Sequence, residues 1–361
     1  MTSPAPLPSR RLRARSRGCG NDPEGVTGDP AAGGAVVAHR DPRPRGAAWR
    51  RGIPAALVAA TVGFAALPTS FGWGYLAHRI VTGAAVDAVP GSLGEFLRAH
   101  RDGIVELSLE PDTIKKEQDP EERPRHFIDL DKYVRHPSRP EGMPGDLAGA
   151  RGRYGAEALA VQGDLPWWIG ECSVRLRAAM SSRDGAAVER EAGYLSHYVA
   201  DLHQPLHLTS NYDGQETGND GIHFAYERFM IERSPGAYRK LRASLEPCPA
   251  PDKVARWAIE RAAESWSWIE GILAADRDAT RAMRREGAEY YVELEARLGG
   301  QARRQMTRAA GAVAGLWVSA WEAAGRPDPA RWEGGRSAAH VGGGKAGAKK
   351  QHFDLESPRS R

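Results

Sequence analysis

The sequence predicts an all-α fold, a single mostly helical domain. Three observations carry this expectation. Apolar residues recur at helical spacing through most of residues 73–333, and no run of alternating β-branched residues competes with them. The chain also has no phosphate-binding glycine loop and no G-x-S-x-G elbow, either of which would mark a strand-to-helix turn. Charge divides the 361 residues unevenly. Residues 1–52 hold ten arginines and four acids, 53–72 hold no charge, 73–333 hold 34 basic and 40 acidic residues, and 334–361 hold six basic and two acidic. The net charge of +4 therefore arises at the ends, and the acidic body gives no electrostatic ground for a nucleic-acid groove.

In chain order, residues 1–52 read as a basic, Pro- and Gly-rich extension expected to be disordered. Residues 53–72 read as the hydrophobic region and cleavage site of a signal peptide. The apolar run from Ile53 to Leu67 is short for a membrane span, and Ser70 and Gly72 are the small residues of a cut after Gly72. Such a cut implies an exported protein, periplasmic or secreted, that starts at Trp73. The remaining length suffices for one sizeable domain, assigned to residues 73–333. Its first helix places Ile80, Val81, Ala84, Ala85 and Val89 on one stripe and ends at Pro90. Trp167 to Met180 and Ala187 to Leu202 are two more. The periodic segments 252–273, 279–298 and 301–324 follow, separated by Asp and Gly breaks. Residues 334–361 form a low-complexity basic tail, also expected to be disordered. Cys172 and Cys248 survive the expected cleavage; neither has a CxxC zinc spacing, and their pairing is left open.

The chemistry concentrates in "SHYVADLHQPLH", residues 196–207. His197 and Asp201 lie four apart and share a helix face, whereas His203 points elsewhere. Pro205 forces a turn that brings His207 to the helix end. Imidazole and carboxylate converging there suit zinc. Other candidates are His78, Asp112, His126, and the pair His223 and Glu227, again four apart. Taken singly, each has a structural alternative: a polar residue on a helix face, an N-cap after Pro111, an ion-pair partner, a helix pair. His39, His100, His136, His340 and His352 have no motif and read as surface residues.

Together, "WGxxxH", "PD…RHF", "HxxxDxHQPLH" and "HxxxE" resemble the zinc-dependent phospholipase C and S1/P1 nuclease superfamily, from Trp73 to about Trp332. The resemblance implies a trinuclear zinc site. Asp112, His126, His197 and Asp201 would hold the first ion, with Asp201 bridging; His207, His223 and Glu227 would hold the second. His78, Asp201 and the free amine and carbonyl of Trp73 would hold the third, so that signal cleavage creates a ligand. Asp112 would also orient the attacking water, and His203 would be supporting or structural. The implied activity is phosphodiester hydrolysis by water. Glu227, where the nuclease branch typically has Asp, favours a phospholipase C-like enzyme acting on a phospholipid head group. That reading allows transient membrane-surface contact by a monomer. A single-strand nuclease acting on DNA or RNA is the alternative, and would need a base-stacking aromatic near the site. The positions that bind choline in choline-selective relatives are Leu76, Thr113 and Arg123 here, with no aromatic cage.

Overall fold

The computed structural model describes residues 73–333. The expected N-terminal extension, signal segment and C-terminal tail, with His39, His340 and His352, lie outside the described residues. Ten helices of seven or more residues are numbered here: α1 Tyr75–Ala88, α2 Gly91–Ala99, α3 Arg101–Leu107, α4 Leu147–Tyr154, α5 Ala156–Gln162, α6 Leu165–Ser182, α7 Gly185–Leu202, α8 Val254–Trp266, α9 Ile269–Glu286 and α10 Tyr290–Ala323. Among the described residues the one strand-like pairing is an isolated bridge between Asp184 and Glu333. The all-α expectation therefore holds, and no described helix is long and apolar enough to cross a membrane.

Helix α7 sits at the centre, packed by α1, α3, α6 and α10. Its last eight residues, Leu195 to Leu202, are all buried. Leu195, Val199 and Leu202 are fully buried, worth about 1.5–3 kcal/mol each. That apolar surround holds the polar residues of the same helix in place. Asp184 caps the start by accepting from the Ala187 N–H at 2.9 Å. The helix stops before Pro205, as its sequence predicts, and residues 205–208 form a 3-10 turn capped by Gln204, whose side chain accepts from the Leu206 N–H at 2.8 Å.

The C-terminal helices depart from the expected boundaries. The segment 252–273 breaks at Ser267, whose hydroxyl donates to the Glu264 carbonyl at 2.6 Å and competes with the helical ladder. The segment 279–298 breaks at Gly287, which takes the left-handed conformation (φ 69°) of a helix C-cap. Glu289 then starts α10 by accepting from the Val292 N–H. The expected break at Gly299 and Gly300 does not occur. There the missing Cβ leaves room for the Glu295 carboxylate, which Tyr238 and Arg303 hold over Gly299. Cys172 and Cys248 are both free thiols, Cys172 buried.

Candidate metal centre

Six chain segments deliver the candidate ligands. His78 projects from α1, Asp112 from the turn 110–112, His126 from the turn 123–126, and His197 and Asp201 from α7. His207 comes from the turn 205–208. His223 and Glu227 lie on a helical stretch, Ile222–Phe224 then Ala225–Phe229, whose second part widens into a π turn. Such wide turns recur at functional sites because they re-aim side chains. The Pro-containing turn 123–126 and the residues after it are pinned by backbone bonds: Ile128 N–H to His207 O, Asp164 N–H to Pro124 O, and Leu165 N–H to Phe127 O.

Three groups of ligand-type atoms result, each close enough to hold one ion: His78 with His197 and Asp201; Asp112 with His126 and His197; His207 with His223 and Glu227. Asp201 lies between them. Its Oδ1 is 3.5 Å from His78 Nε2 and 3.8 Å from His207 Nδ1; its Oδ2 is 3.1 Å from His126 Nδ1 and 3.2 Å from His197 Nε2. Each oxygen thus faces a different side, the arrangement a bridging carboxylate needs. In the third group, Glu227 Oε2 is 3.0 Å from His223 Nε2 and 3.5 Å from His207 Nε2. Trp73 is fully buried with its ring 5.5 Å from Tyr226, beside Glu227. The Gly74 carbonyl accepts from the His78 N–H at 3.3 Å, which ties the segment at Trp73 to α1.

The donor set fits a metal rather than a satisfied polar core. Buried His78 Nδ1 and Nε2, Asp112 Oδ2, Asp201 Oδ1, His207 Nε2 and Glu227 Oε1 have no hydrogen-bond partner in the protein. Leaving that many buried polar atoms unpaired would cost about 1–3 kcal/mol each. Their companion nitrogens are committed: His197 Nδ1 donates to Ser108 O and His207 Nδ1 to His126 O, both at 2.8 Å, and His223 Nδ1 to Tyr212 O at 3.2 Å. This aims each Nε2 at the cluster. Burial and the nearby His197 push His78 down to about 3, so it is neutral and ready to coordinate. Burial opposes charge on Asp112 and Asp201, but the surrounding cationic groups hold both below the usual carboxylate range. Lys116 is the first of these at Asp112, 2.6 Å from Oδ1. His223 moves the other way: burial lowers it, but Glu227 outweighs burial and raises it to about 9.

A pocket opens beside His207 and His223. It is lined by Arg123, Phe127, Asp129, Val161, Leu206, Thr209, Ser210 and Tyr212 and encloses about 120 Å³. Burial, with Asp131 adding to it, raises Asp129 to about 7. Of the three choline positions, Arg123 lines this pocket, whereas the Thr113 hydroxyl is spent on the Leu109 carbonyl at 3.0 Å. Sequence reasoning missed Lys116, Phe127 and Asp129. The signal was present in part, because Phe127 follows His126 directly, Asp129 lies three residues after His126 and Lys116 four residues after Asp112. His203 is structural, buried with Nδ1 donating to Val199 O in its own helix. His136 is exposed as expected, but His100 is only half-buried surface: it packs on Phe96 at 4.1 Å and lies 3.7 Å from Glu189.

No curated protein matches the chain. The S1/P1 nuclease family model matches residues 73–230, the span that carries the nine candidate ligands. This match supports placing the chain in the S1/P1 nuclease superfamily of metal-dependent phosphodiester hydrolases.

Proposed function

We propose that this protein is a zinc-dependent phosphodiester hydrolase and that its substrate is single-stranded nucleic acid. The observation that favours this substrate is the pocket beside His207 and His223. Phe127 and Tyr212 line it with aromatic rings on which a base can stack, and Asp129 and the Thr209 hydroxyl offer polar groups for its edge, whereas the Ser210 hydroxyl is spent on Asp131. Its 120 Å³ is the scale of one ring, since an apolar cavity of about 150 Å³ admits benzene. Asp129, raised to about 7, both donates and accepts in its neutral form and only accepts when ionised.

Three zinc ions are expected, held by the nine residues from Trp73 to Glu227. When bound, zinc neutralises phosphodiester oxygens and activates water near neutral pH. The protein's own groups do the positioning. Asp112 Oδ2 is the acceptor for a hydrogen bond from the attacking water, while Lys116 holds Oδ1. Because Asp112 is kept ionised, it orients that water rather than storing its proton. Arg123 at the pocket rim supplies a cation for a second phosphate.

A phospholipase C-like activity is the second reading, favoured by Glu227 and by Val161, 65 % exposed at the pocket rim, where an acyl chain could rest. The protein beginning at Trp73 should be assayed with single-stranded DNA and RNA and with phosphatidylcholine, phosphatidylethanolamine and phosphatidylglycerol, at equal zinc. Nucleic-acid cleavage abolished by a chelator is expected. Lipid turnover without nucleic-acid cleavage would reverse the order of the two readings.

A further inference from the structure

His126 differs from the other ligand histidines in how it is held. His197, His207 and His223 each donate Nδ1–H to a backbone carbonyl and aim Nε2 at the cluster. His126 is turned round. Its Nδ1 faces inward, 3.0 Å from His197 Nε2 and 3.1 Å from Asp201 Oδ2. Its Nε2 faces outward, and the group it meets is a side-chain carboxylate: Glu122 Oε1, at 3.5 Å. Glu122 is fully buried, and its carboxylate is fixed from several sides. Oε2 takes Arg125 Nη1 at 2.8 Å and Lys115 Nζ at 3.2 Å, and Oε1 accepts from the Tyr198 hydroxyl. Arg125 is itself stacked on Trp168, 3.8 Å from the ring centre, and also bonded to Asp119. A buried anion fixed this firmly, with one oxygen 3.5 Å from an imidazole nitrogen that has no hydrogen-bond partner in the protein, favours a proton on that Nε2.

We infer that Glu122 is the positioning residue for His126, accepting its Nε2–H and so fixing the tautomer whose Nδ1 is free to coordinate metal. A carboxylate behind an imidazole also raises the basicity of the coordinating nitrogen, which a backbone carbonyl does less well. His126 is therefore a stronger donor than the carbonyl-backed His197, His207 and His223, and Glu122 supports the Asp112/His126/His197 group. The inference rests on the proposed zinc binding by the cluster.

The test uses the protein beginning at Trp73, with Glu122→Gln and Glu122→Ala. Zinc content and affinity by chelator competition are read alongside histidine side-chain nitrogen NMR of the wild type. The expected wild-type spectrum has His126 protonated on Nε2 and metal-bound through Nδ1. Zinc affinity at one site should fall about 10- to 100-fold in Glu122→Ala, with smaller loss in Glu122→Gln, whose amide oxygen still accepts the proton. The His207/His223/Glu227 ion should stay. Zinc affinity within about twofold of wild type in both variants would overturn the inference. A wild-type spectrum with His126 coordinating through Nε2 would overturn it too, and needs no variant to fold. Wild-type protein that takes up no zinc would instead remove the metal reading on which the inference stands.

Discussion

At the residue scale, two carboxylates that look alike in the sequence do different work. Asp201 turns one oxygen toward His78 and His207 and the other toward His126 and His197, whereas Glu227 faces His207 and His223 alone among the candidate ligands and accepts from Gln204 Nε2. Asp201→Asn should therefore lose more than one zinc ion, and Glu227→Gln mainly one, measured by plasma mass spectrometry; unchanged zinc in both would refute the assignment. Asp129 gives a second contrast. Burial raises it from 3.8 to about 7, so the folded state binds a proton that the unfolded state releases. The stability linked to this proton is present below about pH 4 and is lost as pH rises through 7. Asp129→Asn lacks that loss. Its denaturation midpoint at saturating zinc should gain on wild type between pH 5 and pH 8, and its cleavage rates should show altered preference among the bases. Equal pH slopes would show that Asp129 is not held protonated. The ligands were legible because each sits in a spaced motif. Phe127 and Asp129 stand beside a motif, but their roles and that of Glu122 were not legible, because those depend on what folds against them: the Tyr198 hydroxyl at Glu122, the pocket wall at Phe127 and the Asp131 carboxylate at Asp129.

At the element scale, the α4–α5 segment shapes the pocket through one glycine. Gly163 has φ 81° and ψ 154°, a backbone region that only glycine occupies comfortably, and a Cβ there would stand 2.0 Å from the Phe127 carbonyl oxygen. Gly155 has nearly the same backbone, φ 84° and ψ 156°, with open space where its Cβ would go. The pair separates strain from contact. Gly155→Ala should cost about 1–3 kcal/mol of stability and leave KM alone. Gly163→Ala should cost more and raise KM, because Phe127 must move. Chemical denaturation and steady-state kinetics read both; equal effects would mean that Gly163 does not control Phe127. Such short elements were the hardest to read. The α2 to α5 helices are seven to nine residues long, too short to show two full apolar turns, while α7 and α10 announced themselves. The misplaced break between α9 and α10 has a similar cause. Gly287 and Gly299 are equivalent as letters, and the structure separates them only by backbone angle and by the Glu295 carboxylate over Gly299.

At the scale of the whole molecule, the candidate ligands from His78 to Glu227 join α1 and α7 to two turns between them, 110–112 and 123–126, and to the turn 205–208 and the helical stretch 222–229 that follow. Zinc that binds only the folded state staples these segments, so chelation should lower the melting temperature as well as activity, the more so at low zinc. An unchanged melting curve with a chelator would mean that the fold closes without metal. The position of Trp73 leads to the last expectation, that the functional protein begins there. Its indole is fully buried against Tyr226, next to Glu227, and Gly74 lies against Arg228, whose side-chain Cγ and Cβ would stand 3.3 and 3.4 Å from a Cβ there. Residue 73 is thus fixed between the helix of His78 and the stretch of Glu227. A backbone nitrogen coordinates zinc only as a free amine, because an amide nitrogen has no basic lone pair. Ser70 and Gly72 mark the bond whose cleavage would free it. Intact-mass analysis of exported protein should give a chain starting at Trp73. Protein carrying one extra residue there should hold less zinc than protein starting at Trp73, with lower activity and the His207/His223/Glu227 ion retained. Full zinc and full activity in the extended protein would show that Trp73 contributes packing alone.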